Sequence, residues 1–288
     1  MTSLPEIATD ALRVAAIALA EDGPRDVTSE ASVVPGLGAI AAIEARENVV
    51  VAGCAYADAV ATRCGLAPIV WRVREGERVG AGVDIGTLTG ALAAILRAER
   101  PLLNVLQRAC GVASITRKYV DAVASTSCVV LHTRKTTPGL RLLEVSAVRA
   151  GGGALHRLDL SHAVLIKDNH WRALHHGGRS LATALSEAAA QGITALCVEV
   201  ESLDQLREAC AAGATRLLVD NQTPAVVNGW VTEARALRPG VEIEATGGIT
   251  LATVREYASA GADYVSVGAL THSAPSADLA VELRKVFE

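Results

Sequence analysis

Residues 131–141 read LHTRKTTPGLR and place three cations, Arg134, Lys135 and Arg141, within eight positions of a chain whose formal net charge is −4. The apolar pair Val129 and Val130 runs directly into this segment, so we expect the cations to lie at the end of a buried strand. Arginine binds carboxylates and phosphates through a planar fork of donors, and lysine adds a point charge. The segment therefore predicts a site for an anionic ligand.

Further charged residues follow later in the chain and divide by sign. The positive set suits a polyanionic ligand, while carboxylates suit Mg²⁺ or the hydroxyl groups of a sugar. An alternative is that the carboxylates only neutralise the lysines. The positive set is Arg134, Lys135, His156, Arg157 and Lys167, and the carboxylates are Glu199 and Asp220.

Two glycine segments have the composition of a phosphate site. Thr246, Gly247 and Gly248 follow an apolar run and precede the helical pattern TLATVREYASAG. Backbone amides at a helix N-terminus, with no side chain in the way, bind phosphate well. Gly268 ends the last apolar run, a region where barrels often bind a phosphate group.

The elements that position these residues form a regular series after residue 125. Six apolar runs (CVVLH, HAVLIK, ALCVEV, TRLLVD, VEIEA and DYVSVG) alternate for the most part with helical patterns. Strands that are apolar throughout and alternate with helices are typical of a parallel sheet, and right-handed crossovers curl such a sheet into a barrel. Six strands instead of eight predict an incomplete or atypical (β/α) barrel. In barrels the active site lies at the carboxyl ends of the strands, where the charged residues fall.

The first part of the chain has a different pattern. ALRVAAIALAED predicts an amphipathic helix, and AAIEARE and VWRVREGERVGAGVDIGTL predict strands joined by glycine turns. The long helical stretch from Ala91 to Ala124 contains Pro101, which requires a break, a kink or a new helix start.

Composition excludes several classes of function. No apolar run reaches the ~18 residues of a membrane span. A net charge of −4 and only 3% aromatic residues argue against a general nucleic-acid surface. The six cysteines show neither a CxxC pair nor zinc-ligand spacing, and no P-loop, HExxH or dinucleotide fingerprint is present. The N-terminus lacks the pattern of a secretory signal, so we expect a cytoplasmic protein.

The motifs taken together resemble the quinolinate phosphoribosyltransferase family. The matching segments are TRKTTPGLR, AVRAGGGALHRLDL, LIKDNH, VEVESLDQL, LLVDN, TGGI and VGALTHS, in the family's order, with EDGPRDVTSE and LRAERPLLNVLQRACGVAS upstream. The resemblance spans nearly the whole chain. TRKTTPG and KDNH are its most specific parts.

This resemblance implies a fold and a reaction. We expect an N-terminal α/β sandwich domain over residues 1–115 and an open, atypical (β/α) barrel over residues 116–274, with a helix at 275–288 packing back on the first domain. The family's enzymes are dimers that transfer ribose 5-phosphate from phosphoribosyl pyrophosphate to the nitrogen of quinolinate. They require Mg²⁺ and release CO2 to give nicotinate mononucleotide.

The resemblance also implies roles for residues. Arg134, His156, Arg157 and Lys167 are expected around the quinolinate carboxylates, with Arg100 reaching in from the partner subunit. Lys135 faces the carboxylate or pyrophosphate side, and Glu199 and Asp220 hold the ribose and Mg²⁺. Thr246, Gly247, Gly248 and Gly268 receive the 5′-phosphate, with His272 nearby.

Some positions depart from the family's pattern, namely Pro101, His132, Val145 and Ser146. They raise the alternative of a paralogous phosphoribosyltransferase acting on another pyridine or aromatic acid. A relative linked to molybdenum utilisation shares the TRKxxPG motif and the barrel. We expect it to lack KDNH, and the presence of KDNH here makes it a weak third choice. A non-catalytic sensor of a nucleotide or pyridine acid is a further alternative, which the complete set of charged residues disfavours.

Overall fold

The computed structural model describes residues 6–288, so the first five residues of the predicted N-terminal domain lie outside the described part. The chain divides into two compact units. One, the sandwich unit, comprises residues 6–117, 135–152 and 270–288, and the other, the barrel unit, comprises residues 118–134 and 153–269. Each unit is therefore built from more than one stretch of the sequence.

The sandwich unit combines helices with an antiparallel sheet. Its helices are α1 (Ile7–Glu21), α2 (Val27–Ser32), α3 (Cys54–Arg63), most of α4 (Leu92–Val123) and α5 (Arg141–Ala150). Its strands are β1 (Gly38–Ala45), β2 (Val49–Val50), β3 (Val70–Trp71), β4 (Arg78–Val79), β5 (Asp84–Ala91) and β12 (Leu279–Phe287). The main sheet has the order β12-β1-β5-β3, and β2 pairs with β4.

The predicted helix at residues 275–288 is wrong, because β12 runs antiparallel to β1 along its whole length. The residues of LAVELRK are good helix formers, but β1 needs a partner on the edge that β5 leaves open. Pairing with β12 satisfies the backbone groups of that edge. Tertiary context therefore outweighs local helix propensity here.

Helix α4 continues through Pro101, which lies inside it. A break or a new helix start at this proline is therefore wrong. Pro101 is buried in the helix.

The barrel unit is built around a six-stranded parallel sheet. Its strands are β6 (Val129–Leu131), β7 (Val164–Ile166), β8 (Leu196–Val200), β9 (Arg216–Asp220), β10 (Glu242–Thr246) and β11 (Tyr264–Ser266). Its helices are α6 (Asp168–His176), α7 (Leu181–Ala190), α8 (Leu203–Ala211), α9 (Pro224–Leu237) and α10 (Val254–Ser259), and the short α11 (Ala269–His272) follows β11.

The strand order β6-β11-β10-β9-β8-β7 places the first strand beside the last, as in a (β/α) barrel, and leaves β6 and β7 as the two ends of the sheet. All five pairings are parallel. On its other side β6 pairs only through a single bridge between Leu131 and Ala154. The prediction of a mixed α/β protein with an open, six-stranded barrel is confirmed.

Candidate active site

Lys167 and Glu199 form an ion pair at the carboxyl ends of β7 and β8. Glu199 is only 8% exposed, and a buried carboxylate of this kind is stabilised by a cationic partner. The indole Nε1 of buried Trp171 donates to the Glu199 carbonyl at 2.9 Å and fixes the end of β8. The Lys167 amide donates to His170 Nδ1 at 3.0 Å. The segment KDNH therefore begins α6 and sets the position of the lysine.

The ends of β9 and β10 meet through their backbones. The Asn221 amide donates to the Thr246 carbonyl at 3.0 Å, and Asn221 Nδ2 donates to Asp220 Oδ2 at 2.6 Å. Gly247 has φ +83°, and a Cβ there would lie 2.3 Å from Asn221 Oδ1. A Cβ on Gly248, at φ +61°, would meet nothing within 4 Å. The first glycine is thus required by packing, whereas the second leaves open space beside its backbone.

TGGI does not open a helix directly, since α10 begins only at Val254 and has six residues. A turn joins the two, with the Val254 amide donating to the Thr250 carbonyl at 2.9 Å, and the contribution of the helix N-terminus to phosphate binding stays a prediction. The backbone amides of the two glycines are the groups that could bind a phosphate at this place.

Two arginines of the barrel unit, Arg134 after β6 and Arg157 before β7, lie without an ion-pair partner among residues 6–288. Neither Arg134 nor Arg157 forms an ion pair with any residue in the range 6–288. Arg134 Nε is buried and has no hydrogen-bond partner, while Arg157 donates to the Ala163 carbonyl at 3.2 Å. Burial, followed by the positive charge of Arg134, lowers the pKa of Arg157. Two like charges that repel each other in a partly desolvated place suit an anionic ligand.

His156 belongs to a charged network inside the barrel. Its Nε2 lies 3.4 Å from Glu244 Oε2, and the same oxygen accepts from Arg216 at 3.2 Å. Arg216 also pairs with Glu242 at 2.8 Å and lies over the Tyr264 ring, 3.9 Å from its centroid. Burial alone would raise the pKa of Glu244, but His156, Arg216 and Ser266 outweigh burial and lower it. Burial likewise lowers the pKa of Arg216, but the two glutamates raise it more.

A pocket of about 460 Å³ opens beside His156 and Arg157. Its other walls come from the amino ends of the strands, with Ala163 before β7, Ala195 before β8 and Arg216 at the start of β9. Burial raises the pKa of the Cys197 thiol in this pocket to about 11, so the thiol is protonated at neutral pH. The structure thus brings His156 and Arg157 to this pocket.

An apolar layer follows from the alternation of side chains along the strands. Leu165, Cys197 and Leu218 form a buried cluster, and Lys167, Glu199 and Asp220 lie two residues nearer the carboxyl ends on the same strand faces. The charged residues at the carboxyl ends therefore have a hydrophobic floor.

The remaining predicted residues lie elsewhere in the chain. Gly268 follows β11 in the barrel unit, whereas Lys135, His272 and Arg100 belong to the sandwich unit. Arg100 is exposed on α4, and the exposed His272 shares a hydrogen bond between its Nδ1 and Ser273 Oγ at 2.6 Å. Adjacent in sequence, Arg134 and Lys135 belong to different units.

The positions that depart from the family pattern are mostly packing positions. His132 is fully buried, with its Nδ1 3.0 Å from the Thr133 carbonyl oxygen, and Val145 is fully buried in α5. Ser146 Oγ donates to the Leu142 carbonyl at 2.6 Å, within the same helix.

The sequence patterns gave no role to Glu244 or to Arg216. The alternation in VEIEA does put Glu242 and Glu244 on one face. The sequence does not show that Arg216 is the partner of Glu244. Arg216 lies 28 residues before Glu244, and the two side chains meet because β9 pairs with β10.

The comparisons with known proteins agree along the whole chain. The family model "Quinolinate phosphoribosyl transferase, N-terminal domain" matches residues 26–110, and the model of the C-terminal domain matches residues 112–282. The chain is 38% identical over 264 residues to the nicotinate-nucleotide pyrophosphorylase [carboxylating] of Mycobacterium leprae, covering 90% of this chain and 91% of the relative. It is 40% identical over 210 residues to a probable enzyme of the same name from Bacillus subtilis, covering 73% and 71%.

A solved structure shows the same architecture. The nicotinate-nucleotide pyrophosphorylase from Francisella tularensis superposes with a TM-score of 0.91 at 31% identity, over 99% of this chain and all of that one.

Through the described residues, no helix has both the length and the apolar composition needed to cross a bilayer.

Proposed function

Because the chain belongs to the quinolinate phosphoribosyltransferase family, we propose how its barrel performs that family's reaction. The chain is a pentosyltransferase of NAD biosynthesis that transfers a phosphoribosyl group to quinolinate. A relative from Nicotiana glauca is named a decarboxylating quinolinate phosphoribosyltransferase, and the relative from Mycobacterium leprae a carboxylating nicotinate-nucleotide pyrophosphorylase.

The pair Arg134 and Arg157 supports the assignment most strongly. Two partly desolvated guanidinium groups that repel each other are at odds with a purely structural role, because structural buried cations are paired. Quinolinate carries two adjacent carboxylates, each able to accept a bidentate fork. Its binding would relieve the repulsion, and His156, which is hydrogen-bonded to Glu244, would lie beside the ligand.

Lys167 would complete the carboxylate site. It pairs with Glu199 in the structure, and 43% exposure of its side chain leaves part of the ammonium group open. An ammonium group has three donors, so Lys167 can bind a substrate carboxylate and keep Glu199 as a neighbour.

The ends of β8, β9 and β10 are proposed to hold phosphoribosyl pyrophosphate. Glu199 and Asp220 would accept from the ribose hydroxyls, and the open backbone beside Gly248 would receive the 5′-phosphate. Thr246, Gly247 and Gly268 would line the same phosphate site. From the family resemblance, Lys135 is proposed on the carboxylate or pyrophosphate side of the substrates and His272 near the 5′-phosphate.

Mg²⁺ is proposed as the cofactor. Within residues 6–288, no three His, Cys, Asp or Glu side chains come close enough to form a metal site by themselves. Mg²⁺ commonly binds through one or two carboxylates together with waters and substrate phosphates, and Asp220 with Glu199 fits that need. When bound, the ion would offset negative charge on the pyrophosphate.

The chemistry then follows from charge placement. As the ribose–pyrophosphate C–O bond breaks, positive charge develops on the ribose, and Glu199 and Asp220 would stabilise it electrostatically. The ring nitrogen of quinolinate donates its lone pair to the ribose C1 and becomes cationic. The adjacent C–CO2 bond then breaks, its electron pair stays on the ring carbon beside that cation, and a proton replaces CO2.

Assembly and location are also proposed. Arg100 is exposed on α4 and would reach the active site of a partner subunit in a homodimer. A cytoplasmic location and the absence of nucleic-acid or membrane partners stay predictions.

A turnover assay tests the function. The purified chain is incubated with phosphoribosyl pyrophosphate, Mg²⁺ and quinolinate labelled in the 2-carboxylate, and released CO2 and pyrophosphate are measured. Equal amounts of both are expected. Turnover only with a different pyridine or aromatic acid would support the paralogue, and ligand binding without turnover would support the sensor.

A further inference from the structure

A buried ion pair in the sandwich unit lies next to the segment that contains Lys135. Arg108 on α4 donates from Nε and Nη2 to Glu144 Oε1 on α5, at 2.9 and 2.6 Å. The Glu144 side chain is 0% exposed and that of Arg108 is 19% exposed. A buried pair of this kind often contributes little net stability compared with apolar residues. The further hydrogen bonds of Arg108 and Glu144 to neighbouring segments indicate what the pair does.

Glu144 fixes the loop after β6. Thr137 donates to Glu144 twice, from its amide to Oε2 at 3.0 Å and from its hydroxyl to Oε1 at 2.7 Å. Glu144 thus holds the loop two residues after Lys135.

Arg108 fixes a second segment, the one that contains His272. Its Nη1 donates to the Ala274 carbonyl at 2.9 Å, and Nη2 donates to the Thr271 carbonyl. These two carbonyls lie on either side of His272 and Ser273. One guanidinium group thereby holds both ends of this short stretch.

The two segments are also joined directly. The hydroxyl of Thr271, a residue with 0% exposure, donates to the Lys135 carbonyl at 2.8 Å. Arg108, Thr137, Glu144 and Thr271 form one connected set, which we name the Lys135 brace. Its bonds end on the backbone at or next to two residues that the proposed function assigns to phosphate binding.

We propose that the Lys135 brace is a positioning device for phosphoribosyl transfer, which holds Lys135 and His272 in a fixed relation to each other. This inference rests on the proposed function, in which both side chains contact phosphoribosyl pyrophosphate. None of the four brace residues needs to touch substrate. They act because small displacements of a catalytic group cost rate steeply.

The test uses Thr271→Val, which removes the hydroxyl bond to Lys135 at nearly unchanged side-chain volume. The residue-271 carbonyl still accepts from Arg108 in this variant. Thr116→Val is the matched control, because Thr116 is also 0% exposed and its hydroxyl donates at 2.7 Å to the Val112 carbonyl within α4. Both variants lose one buried hydroxyl bond, and only one of them touches the brace.

We expect kcat/KM for phosphoribosyl pyrophosphate to fall about 5- to 10-fold in Thr271→Val, mainly through kcat, and to stay within about 2-fold of the parent in Thr116→Val. Thr137→Val should resemble Thr271→Val. The Tm values of the Thr271→Val and Thr116→Val variants should be alike, so lost rate cannot be ascribed to lost folding.

A double-mutant cycle separates positioning from a general structural effect. In a Lys135→Ala background, Thr271→Val should have a clearly smaller effect than in the parent, because the Lys135 side chain is gone and only the position of His272 is left to disturb. If Thr271→Val lowers kcat/KM by the same factor with and without Lys135, or leaves it unchanged in both, the brace does not position Lys135.

The same data distinguish this inference from the proposed function. A parent chain that does not turn over quinolinate contradicts the proposed function itself. A parent that turns over, together with a fully active Lys135→Ala variant, removes the role of Lys135 and overturns the brace with it. An impaired Lys135→Ala variant with a fully active Thr271→Val variant overturns the brace alone.

Discussion

Arg216 and the pair Arg134 and Arg157 lie in the same barrel unit and differ in how their charge is compensated. Arg216 contacts Glu242, Glu244 and the face of Tyr264. Arg134 and Arg157 have no carboxylate partner in the described part of the chain and repel each other. The pKa of Arg216 is raised, whereas that of Arg157 is lowered.

This difference distinguishes an arginine that stabilises the fold from arginines that are suited to bind a ligand. A cation that is paired with carboxylates in the folded protein requires no ligand to compensate its charge. An uncompensated, desolvated cation is a cost in the free protein that a ligand can remove. Substitutions at the two places should therefore affect different measurements.

The largest expected effect is on stability, from Arg216→Ala. Removing this arginine leaves Glu244, which is 0% exposed, without its guanidinium partner, and we expect the free energy of unfolding to fall by about 3–5 kcal/mol. Urea unfolding measures it. Arg207→Ala is the control, because Arg207 pairs with Glu233 at the surface and should change stability by under about 1 kcal/mol. Equal effects of the two substitutions would remove the structural role of Arg216.

Arg134→Ala should act on catalysis instead. Loss of one fork from a desolvated carboxylate should cost at least ~3 kcal/mol of transition-state stabilisation, or about 100-fold or more in kcat/KM. Stability should be unchanged or higher, because an uncompensated charge has gone. Steady-state kinetics with quinolinate, alongside urea unfolding, provide both numbers. Near-parental turnover would exclude Arg134 from the site.

The neighbouring glycines offer a matched pair with the same contrast. Gly247→Ala should lower the free energy of unfolding by about 1–3 kcal/mol, because its Cβ would overlap Asn221 at a positive φ. Gly248→Ala should cost less stability, about 1–2 kcal/mol from its positive φ alone, yet should raise KM for phosphoribosyl pyrophosphate. An unchanged KM in a folded Gly248→Ala variant would argue against a phosphate beside Gly248.

The smallest effect concerns acid stability. The folded-state pKa of Glu244 lies below its ordinary value of 4.5. Its contribution to stability is therefore complete above that value and disappears as the pH falls through the lowered pKa. Thermal unfolding at pH 7, 5, 4 and 3 should show a smaller acid loss of Tm in Glu244→Gln than in the parent. Parallel Tm curves for the two proteins would contradict this.

The sequence was sufficient for most of the fold. The six parallel strands followed from short apolar runs between helices. A strand covered on both faces is apolar at successive positions and does not alternate between apolar and polar residues. The C-terminal strand β12 could not be predicted in this way, since its residues favour a helix and only the open edge of β1 selects the strand.

The site was predictable as a list of residues more than as a set of contacts. Arg134, Lys167 and Glu199 stood out because charge is rare at the ends of apolar strands. The ion pairs could not be read from the sequence, because their members are far apart along the chain. Lys167 and Glu199 are separated by 32 residues, and Arg108 and Glu144 by 36. Glu144 lies inside the segment EVSAV, and its burial against Arg108 depends on how α4 and α5 pack.

Arg134 and Arg157, two cations without an ion-pair partner among the described residues, are proposed to select a dianionic pyridine. Isothermal titration of the parent chain and of Arg134→Ala with quinolinate, and with pyridine-3-carboxylate as a one-carboxylate reference, tests this proposal most directly. The parent should bind quinolinate at least about 10-fold more tightly than the reference, and Arg134→Ala should lose most of that preference. Equal dissociation constants for the two acids in the parent, or a preference that survives in Arg134→Ala, would contradict the claim.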